Sequence, residues 1–277
     1  MTNPPPTPRL GVCSWSCRAR GPEELAAALR TVGVDAVQLH LDPLRTGAWS
    51  EEGTLRALAK AGVEIRSGMM GMEGEDYTTL ETIRVTGGVR PSGTWKANLA
   101  AARGNAALAR RLGLGLVTFH AGLLPHEQRD PERGVLLARL GELADVFADQ
   151  GVRVGFETGQ ESAETLWGVL EALARPTVGV NFDPANMILY GMGDPVEALA
   201  RLAPRVLQVH VKDALAPKTR GTWGEEVAVG TGQVDWREFF RVLRQAAPRV
   251  DCMIEREAGE TRVTDMAAAR TLVERLR

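Results

Sequence analysis

Short runs rich in Val, Ile, Leu and Phe alternate with longer stretches in which apolar residues recur every three to four positions, from one end of the 277-residue chain to the other. The short runs predict eight strands, near residues 9–15, 36–41, 63–68, 115–120, 152–157, 178–183, 206–212 and 252–257. The longer stretches predict eight helices, near 22–32, 50–61, 95–112, 132–149, 162–174, 195–202, 235–246 and 264–276. Gly33, Gly62, Gly113 and Gly151 follow predicted helices where a left-handed residue closes the last turn, and Ser50 and Thr264 stand where an N-cap hydroxyl is wanted. Each strand-plus-helix unit then takes about 35 residues, enough for one strand, one helix and two loops. The economical architecture is α/β: a single (β/α)8 TIM barrel over residues 9–277, with residues 1–8 as a disordered lead-in. A doubly wound open sheet competes, but no GxGxxG follows the first strand, and no linker divides the chain.

Successive side chains on a strand point to opposite sides, so the apolar parity marks the helix-facing set and the other parity the barrel axis. In VLQVHV the apolar set is Leu207, Val209 and Val211, which sends Gln208, His210 and Lys212 to the axis. The same rule turns Asn181 and Asp183 inward in VGVNFD, Glu157 inward in VGFE, His120 inward in VTFH, and Glu255 and Glu257 inward in CMIERE. His40 and Trp15 face inward on strands two and one. Glu157, Asp183, His210 and Glu255 therefore stand on four consecutive strands, near their C-terminal ends, all aimed at the axis.

Three carboxylates and an imidazole in a low-dielectric funnel repel one another and are costly to desolvate unless a cation sits among them. One divalent ion is the compact answer, and an O3N donor set suits Mn, Mg or Co better than Zn. The alternative is a salt-bridged core. Lys212 is available for that, whereas Arg256 has the wrong parity and Arg153 lies at the far end of its strand.

Two loops are longer than their connections need, 69–94 and 213–234, and both leave the C-terminal ends of strands, where barrel enzymes keep their sites. Charge narrows the partners: 33 Lys plus Arg against 35 Asp plus Glu leave a net −2, without the basic excess that nucleic acid binding draws on. No apolar run reaches the ~18 residues that span a bilayer. Cys13, Cys17 and Cys252 form neither a disulfide framework nor a CxxC pair, which points to core packing in a reducing, cytoplasmic setting.

In GFETGQE (155–161), NFDPANMILYG (181–191), QVHVKD (208–213), GEEVAVGTGQVDW (224–236) and MIEREAG (253–259), the chain resembles the xylose isomerase-like barrels. This is the sugar-phosphate isomerase/epimerase superfamily that also holds ketose 3-epimerases, inosose dehydratases and endonuclease IV. The resemblance implies that Glu157, Asp183, His210 and Glu255 are the metal ligands, and that Glu157 and Glu255 also exchange protons with opposite faces of the substrate. The chemistry is consistent: an ion chelating a carbonyl and a neighbouring hydroxyl stabilises an enediolate, while one carboxylate takes a proton and the other can return it inverted. The chain departs from the pattern at Asn186, where ketose 3-epimerases and endonuclease IV carry a histidine; Asn can bond a sugar hydroxyl but cannot ligate a metal. The chain's four histidines, His40, His120, His126 and His210, are too few for a three-metal endonuclease centre.

The expected activity is a metal-dependent sugar or sugar-phosphate isomerase or epimerase. An inosose dehydratase-type lyase is the runner-up, and a non-catalytic sugar-binding barrel and an abasic-site endonuclease stand further off. His120, Asn186, Lys212, Trp15 and Glu257 are the expected substrate contacts; Lys212 could instead pair with Glu255 or Glu257, and Glu257 competes for the fourth ligand position. Gly87 and Gly88 suggest a weak phosphate cradle, with Arg84 and Arg90 as its cations or as solvated loop charges. The loop carrying Trp223 would suit the interface of a homo-oligomer.

Overall fold

A computed structural model describes residues 8–127, 129–219 and 221–277, so all of the expected lead-in but Pro8 lies outside the described residues. Eight parallel strands close a barrel in the order β1-β10-β7-β6-β5-β4-β3-β2. They are β1 (Leu10–Cys13), β2 (Ala36–His40), β3 (Glu64–Met69), β4 (Leu116–His120), β5 (Arg153–Glu157), β6 (Val178–Phe182), β7 (Val206–Val211) and β10 (Asp251–Ile254). The long helices between them are α1 (Pro22–Val32), α3 (Glu51–Lys60), α5 (Ser92–Arg111), α6 (Pro131–Ala148), α7 (Ala163–Leu173), α9 (Pro195–Leu202), α10 (Trp236–Ala246) and α11 (Arg262–Leu276). Among the described residues, no helix is long and apolar enough to cross a membrane.

Parity holds around the barrel. Phe119, Phe156, Phe182, Val209, Val211 and Ile254 are buried in the core between strands and helices. The axis layer below the site is polar: Gln38 Nε2 donates to Thr118 Oγ1 (2.7 Å), Ser67 Oγ to Gln208 Oε1 (2.5 Å), and Gln208 Nε2 to Asn181 Oδ1 (3.2 Å). All these groups are buried, and mutual hydrogen bonding is what makes their burial tolerable. Gly33, Gly62, Gly113 and Gly151 all take positive φ, and the Ser50 hydroxyl caps α3 by accepting from Gly53 N. Thr264 does not cap: α11 begins at Arg262, so this hydroxyl lies inside the first turn.

The two long loops have structure of their own. Within 69–94 lies the helix α4 (Leu80–Thr86), capped by Thr79, and α5 begins at Ser92, earlier than its spacing predicts. Within 213–234, β8 (Asp213–Leu215) pairs antiparallel with β9 (Glu225–Val227). Two short helices, α2 (Asp42–Arg45) and α8 (Pro184–Leu189), follow β2 and β6 directly. Gly87 and Gly88 do not form a phosphate cradle. A Cβ on Gly88 would sit 2.2 Å from the Ala121 backbone, and one on Gly122 2.3 Å from Gly87 O, so these glycines let the strand-three and strand-four loops touch backbone to backbone.

Candidate metal centre and substrate cleft

The end of β5, the step from β6 into α8, β7, and the residue after β10 bring four side chains to one point above the polar axis layer. One ligand atom from each of Glu157, Asp183, His210 and Glu255 lies within 4.8 Å of the others, and all four residues are buried. Strands β6 and β10 end at Phe182 and Ile254, so Asp183 and Glu255 sit one residue beyond the ladder, where the side chain is free to lean over the barrel mouth. Asp183 is fixed there as the N-cap of α8, its Oδ1 accepting from Ala185 N (2.7 Å) and Asn186 N (3.0 Å).

His210 Nδ1 is the centre of the cluster, 2.8 Å from Glu255 Oε2, 3.3 Å from Glu157 Oε1 and 3.8 Å from Asp183 Oδ2. Its Nε2 lies 2.8 Å from Gln38 Oε1 and 3.0 Å from Asn181 Nδ2, which fixes the ring plane and turns Nδ1 to the carboxylates. Asp183 Oδ2 and Glu255 Oε2 are buried with no hydrogen-bond partner. Orphaned carboxylate oxygens at this depth are costly, and both face the same imidazole. The donor set therefore fits a divalent cation bound through Glu157, Asp183, His210 and Glu255. Cys13 Sγ comes within the same 4.8 Å of His210 and Glu255, and burial pushes the thiol well above its ordinary range, as expected of a packed, protonated cysteine.

Each glutamate has a second set of holders. Trp15 Nε1 donates to Glu255 Oε1 (2.7 Å), and Lys212 Nζ lies 3.5 Å from Glu255 Oε2. Asn186 Nδ2 donates to Glu157 Oε1 (3.1 Å), Asn181 Nδ2 to Glu157 Oε2 (3.3 Å), and His120 Nε2 lies 3.6 Å from Glu157 Oε1. Burial by itself would raise the Glu157 carboxyl; His120, His210 and Lys212 instead hold it well below the usual carboxylate range. For His120 burial works against the charged form, yet Glu157, Glu75 and Glu255 raise its pKa, and the same competition holds Lys212 firmly charged.

A cleft of about 390 Å3 opens over the cluster and includes every expected substrate contact: Trp15, His120, Asn186, Lys212 and Glu257. Trp15 is in the cleft but not on a strand; it sits in a 3-10 turn, Ser14–Cys17, that follows β1. Asn186 has its amide nitrogen committed to Glu157 and to Thr158 O (3.0 Å), which makes it a brace for the glutamate. Lys212 lies 2.8 Å from Glu257, whose side chain is half exposed and outside the cluster of four, so it is Glu255 that converges with Glu157, Asp183 and His210. Arg256 points away to Glu226 (2.9 Å) and Asp265 (3.0 Å). Arg84 and Arg90 line neither the cleft nor the smaller chamber that adjoins it beside His120 and Glu157, pairing with Glu81 (3.7 Å) and Glu132 (2.6 Å). His40 pairs with Asp42, and His126 bonds Thr165.

The sequence reading passed over Glu75, Tyr77, Glu161, Tyr190 and Glu226, all of which line the cleft or the chamber beside it. Glu161 was within reach, because it stands four residues after Glu157 in GFETGQE. Glu75, Tyr77 and Glu226 come from the long loops, whose path no periodicity reports.

The chain belongs to the xylose isomerase-like TIM barrel family, whose model matches residues 26–277. A xylose isomerase domain protein from Planctomyces limnophilus is 32% identical and superposes with a TM-score of 0.89, covering 99% of this chain and 98% of that one. More distant barrels share the fold. D-allulose 3-epimerase from Methylomonas sp. has a TM-score of 0.74 at 16% identity over the whole of both chains. A probable 3-DHS dehydratase, AsbF of Bacillus anthracis, has 0.72 at 16% over 96% and 98%. A xylose isomerase-like barrel from Mycobacterium smegmatis, solved in complex with magnesium, has 0.73 at 16% over 97% and 96%. Among curated sequences, the uncharacterised YihM of Escherichia coli is 28% identical over 101 residues, which is 36% of this chain and 31% of that protein. The family and its structural neighbours are mostly enzymes, and the acidic cluster with its histidine is a possible metal site.

Proposed function

We propose that this protein is a divalent-metal-dependent sugar isomerase or epimerase that works through an enediolate. The observation that carries the reading is the placement of two buried glutamates, Glu157 and Glu255, on either side of His210, each with an oxygen toward the shared imidazole. Glu157, Asp183, His210 and Glu255 would hold the ion, and Mn, Mg or Co suits their oxygen-rich set, with Zn less favoured. When bound, the ion supplies positive charge to adjacent substrate oxygens and so favours the charge that develops as an enediolate forms.

The chain's own groups do the proton work. Glu157 takes a proton from the carbon beside the carbonyl, or returns one to it, from the β5 side of the cleft, and Glu255 does so from the β10 side. Asn186 and Trp15 fix the two carboxylates in place, and His120, His210 and Lys212 keep Glu157 ionised. The aromatic walls and the loops over the mouth limit water, which would otherwise exchange with the mobile proton. We take residues 9–277 as one catalytic domain, and the three free cysteines accord with a cytoplasmic setting.

The test is incubation of the Mn-loaded protein in D2O with a panel of ketoses, reading deuterium at the carbon beside the carbonyl by NMR. Exchange in the wild type that is lost in Glu157→Gln and in Glu255→Gln is the expected result. Absence of wash-in across the panel overturns the reading, and appearance of an enone absorbance in its place moves the chemistry to dehydration.

A further inference from the structure

The cleft continues past His120 into a side chamber beside Glu157, lined by Glu75, Tyr77, Glu161, Tyr190 and the backbone at Gly122 and Gly159. The mechanism above uses none of these groups. We propose that this chamber is a subsite for the uncharged, hydroxyl-bearing end of the substrate, so that the protein acts on free polyhydroxy carbonyl compounds and discriminates against their phosphate esters. This rests on the proposed isomerase or epimerase reading and narrows its substrate class.

The first support is charge. The cleft and chamber are lined by Glu75, Glu157, Glu161, Glu226, Glu255 and Glu257. Among the described lining residues the cations are Lys212 and His120, and both are already engaged: Lys212 with Glu257, Glu255 and Asp183, His120 with Glu157. A phosphate dianion needs an unshared Arg or Lys, or a fan of free backbone amides. The arginines the sequence offered for that task, Arg84 and Arg90, are tied outside the cleft, and Arg256 is held behind Glu226. The Gly88 amide, nearest to a cradle, donates instead to Glu75 Oε1 (2.9 Å).

The second support is the kind of surface that remains. Glu75 is anchored through that one oxygen, and the backbone approach of Gly88 to Ala121 fixes the anchor, so its other oxygen is held at the chamber wall. Glu161 is buried, faces no cation within ion-pair reach among the described residues, and accepts from Gly159 N (3.2 Å). Two carboxyl groups of this kind accept from or donate to hydroxyls, whatever their protonation. Tyr77 stands edge-on to His120 at 6.1 Å, and Tyr190 packs against Trp223 at 4.9 Å. Aromatic faces between carboxyl groups suit a chain of C–H and O–H groups and bring no positive charge to a dianion.

The experiment measures binding by calorimetry on the Mn-loaded full chain, with matched probes: D-fructose and D-fructose 6-phosphate, L-ribulose and L-ribulose 5-phosphate. D2O wash-in is read on the same samples. The free sugar of at least one pair should bind at least tenfold tighter than its ester, and Glu75→Gln and Glu161→Gln should each weaken that binding about tenfold with metal content unchanged. Esters binding as tightly as the free sugars overturn the inference, even where wash-in upholds the enediolate chemistry. Binding of the free sugars without wash-in overturns the chemistry and leaves the subsite standing. Binding of neither member of any pair overturns the inference, as does wild-type affinity in both variants.

Discussion

Replacing Glu161 by Gln should make the protein more stable, and increasingly so as the pH rises. The carboxyl is buried, accepts from Gly159 N, and has no counter-charge in contact among the described residues; burial raises it from an ordinary 4.5 to about 7. In the unfolded chain the group ionises near 4.5, so between that pH and about 7 the folded protein keeps a proton that the unfolded one has released. The folded state binds more protons across this window, so stability falls as pH rises through it. From 4.5 to about 7, at roughly 1.4 kcal/mol per pH unit, the loss is about 3 kcal/mol. Glutamine keeps the shape and the acceptor for Gly159 N but has nothing to ionise. Urea unfolding at pH 4, 6 and 8 in the presence of a chelator should place the variant close to wild type at pH 4. At pH 8 it should be about 3 kcal/mol more stable, or roughly 6–12 °C higher in Tm for a chain of this size. Comparing the two proteins cancels the opposite slope contributed by carboxyls that folding acidifies, Asp42 and Glu157, which both carry. Parallel stability curves with a constant offset would refute the assignment. A site residue whose removal stabilises the fold is also what a chamber kept for ligand should contain.

Three further outcomes follow from the same geometry. Loading with Mn²⁺ should raise Tm, by about 2.7 kcal/mol of stability at a free ion concentration one hundred times Kd, and Asp183→Asn should abolish both the shift and the metal found by elemental analysis. Asn186→Ala frees Glu157 Oε1 from its brace and should lower the deuterium exchange rate roughly tenfold with metal content retained; an unchanged rate removes Asn186 from the site. Asp213 is a buried carboxylate that accepts from the amides of Ala214, Gly230, Gly232 and Val234 and from Trp236 Nε1, which staples the loop carrying Trp223 and Glu226. Asp213→Asn turns an NH2 toward some of those donors. It should cost roughly 2–3 kcal/mol in urea unfolding and weaken sugar binding more than metal binding.

The barrel and the convergence of Glu157, Asp183, His210 and Glu255 were legible because both depend on short-range rules. Strand parity follows from the pleat, and buried parallel strands leave long β-branched and aromatic runs that are hard to mistake; Phe119, Phe156 and Phe182 marked the outer face of three adjacent strands. The loops were not legible because their residues answer to tertiary contacts. Glu75 enters the chamber through Gly88 and its close approach to Ala121, and Glu226 is set by Arg256 and the Glu257 amide, thirty or so residues away in sequence. The misplaced N-cap at Thr264 has the same origin: Thr261 precedes α11 without using its hydroxyl as a cap, and no local signal separates the two threonines. Asn186 was visible as a departure from the family pattern, but its role as a brace emerges only from the fold of α8 over the end of β5.

The two glutamates are supported as a matched pair, and this bears on the direction of the chemistry. Glu157 has a neutral amide donor from α8 and a cation-capable imidazole from β4; Glu255 has a neutral indole donor from the turn after β1 and the ammonium that follows β7. Each glutamate's donors end or follow the two strands that flank its own, β4 and β6 for Glu157 and β1 and β7 for Glu255, and His210 stands between, its orientation set from below by Gln38 and the polar axis layer. A reaction that moves a proton on one face, whether isomerisation or loss of water, needs a single carboxylate held in this manner. Matching support on both sides favours exchange at two faces of one carbon, and so epimerisation within the proposed class. If Glu157→Gln and Glu255→Gln, compared at equal metal occupancy, each depress exchange by roughly 10²–10⁴, the pair acts as two working groups; if only one does, the chemistry is one-sided.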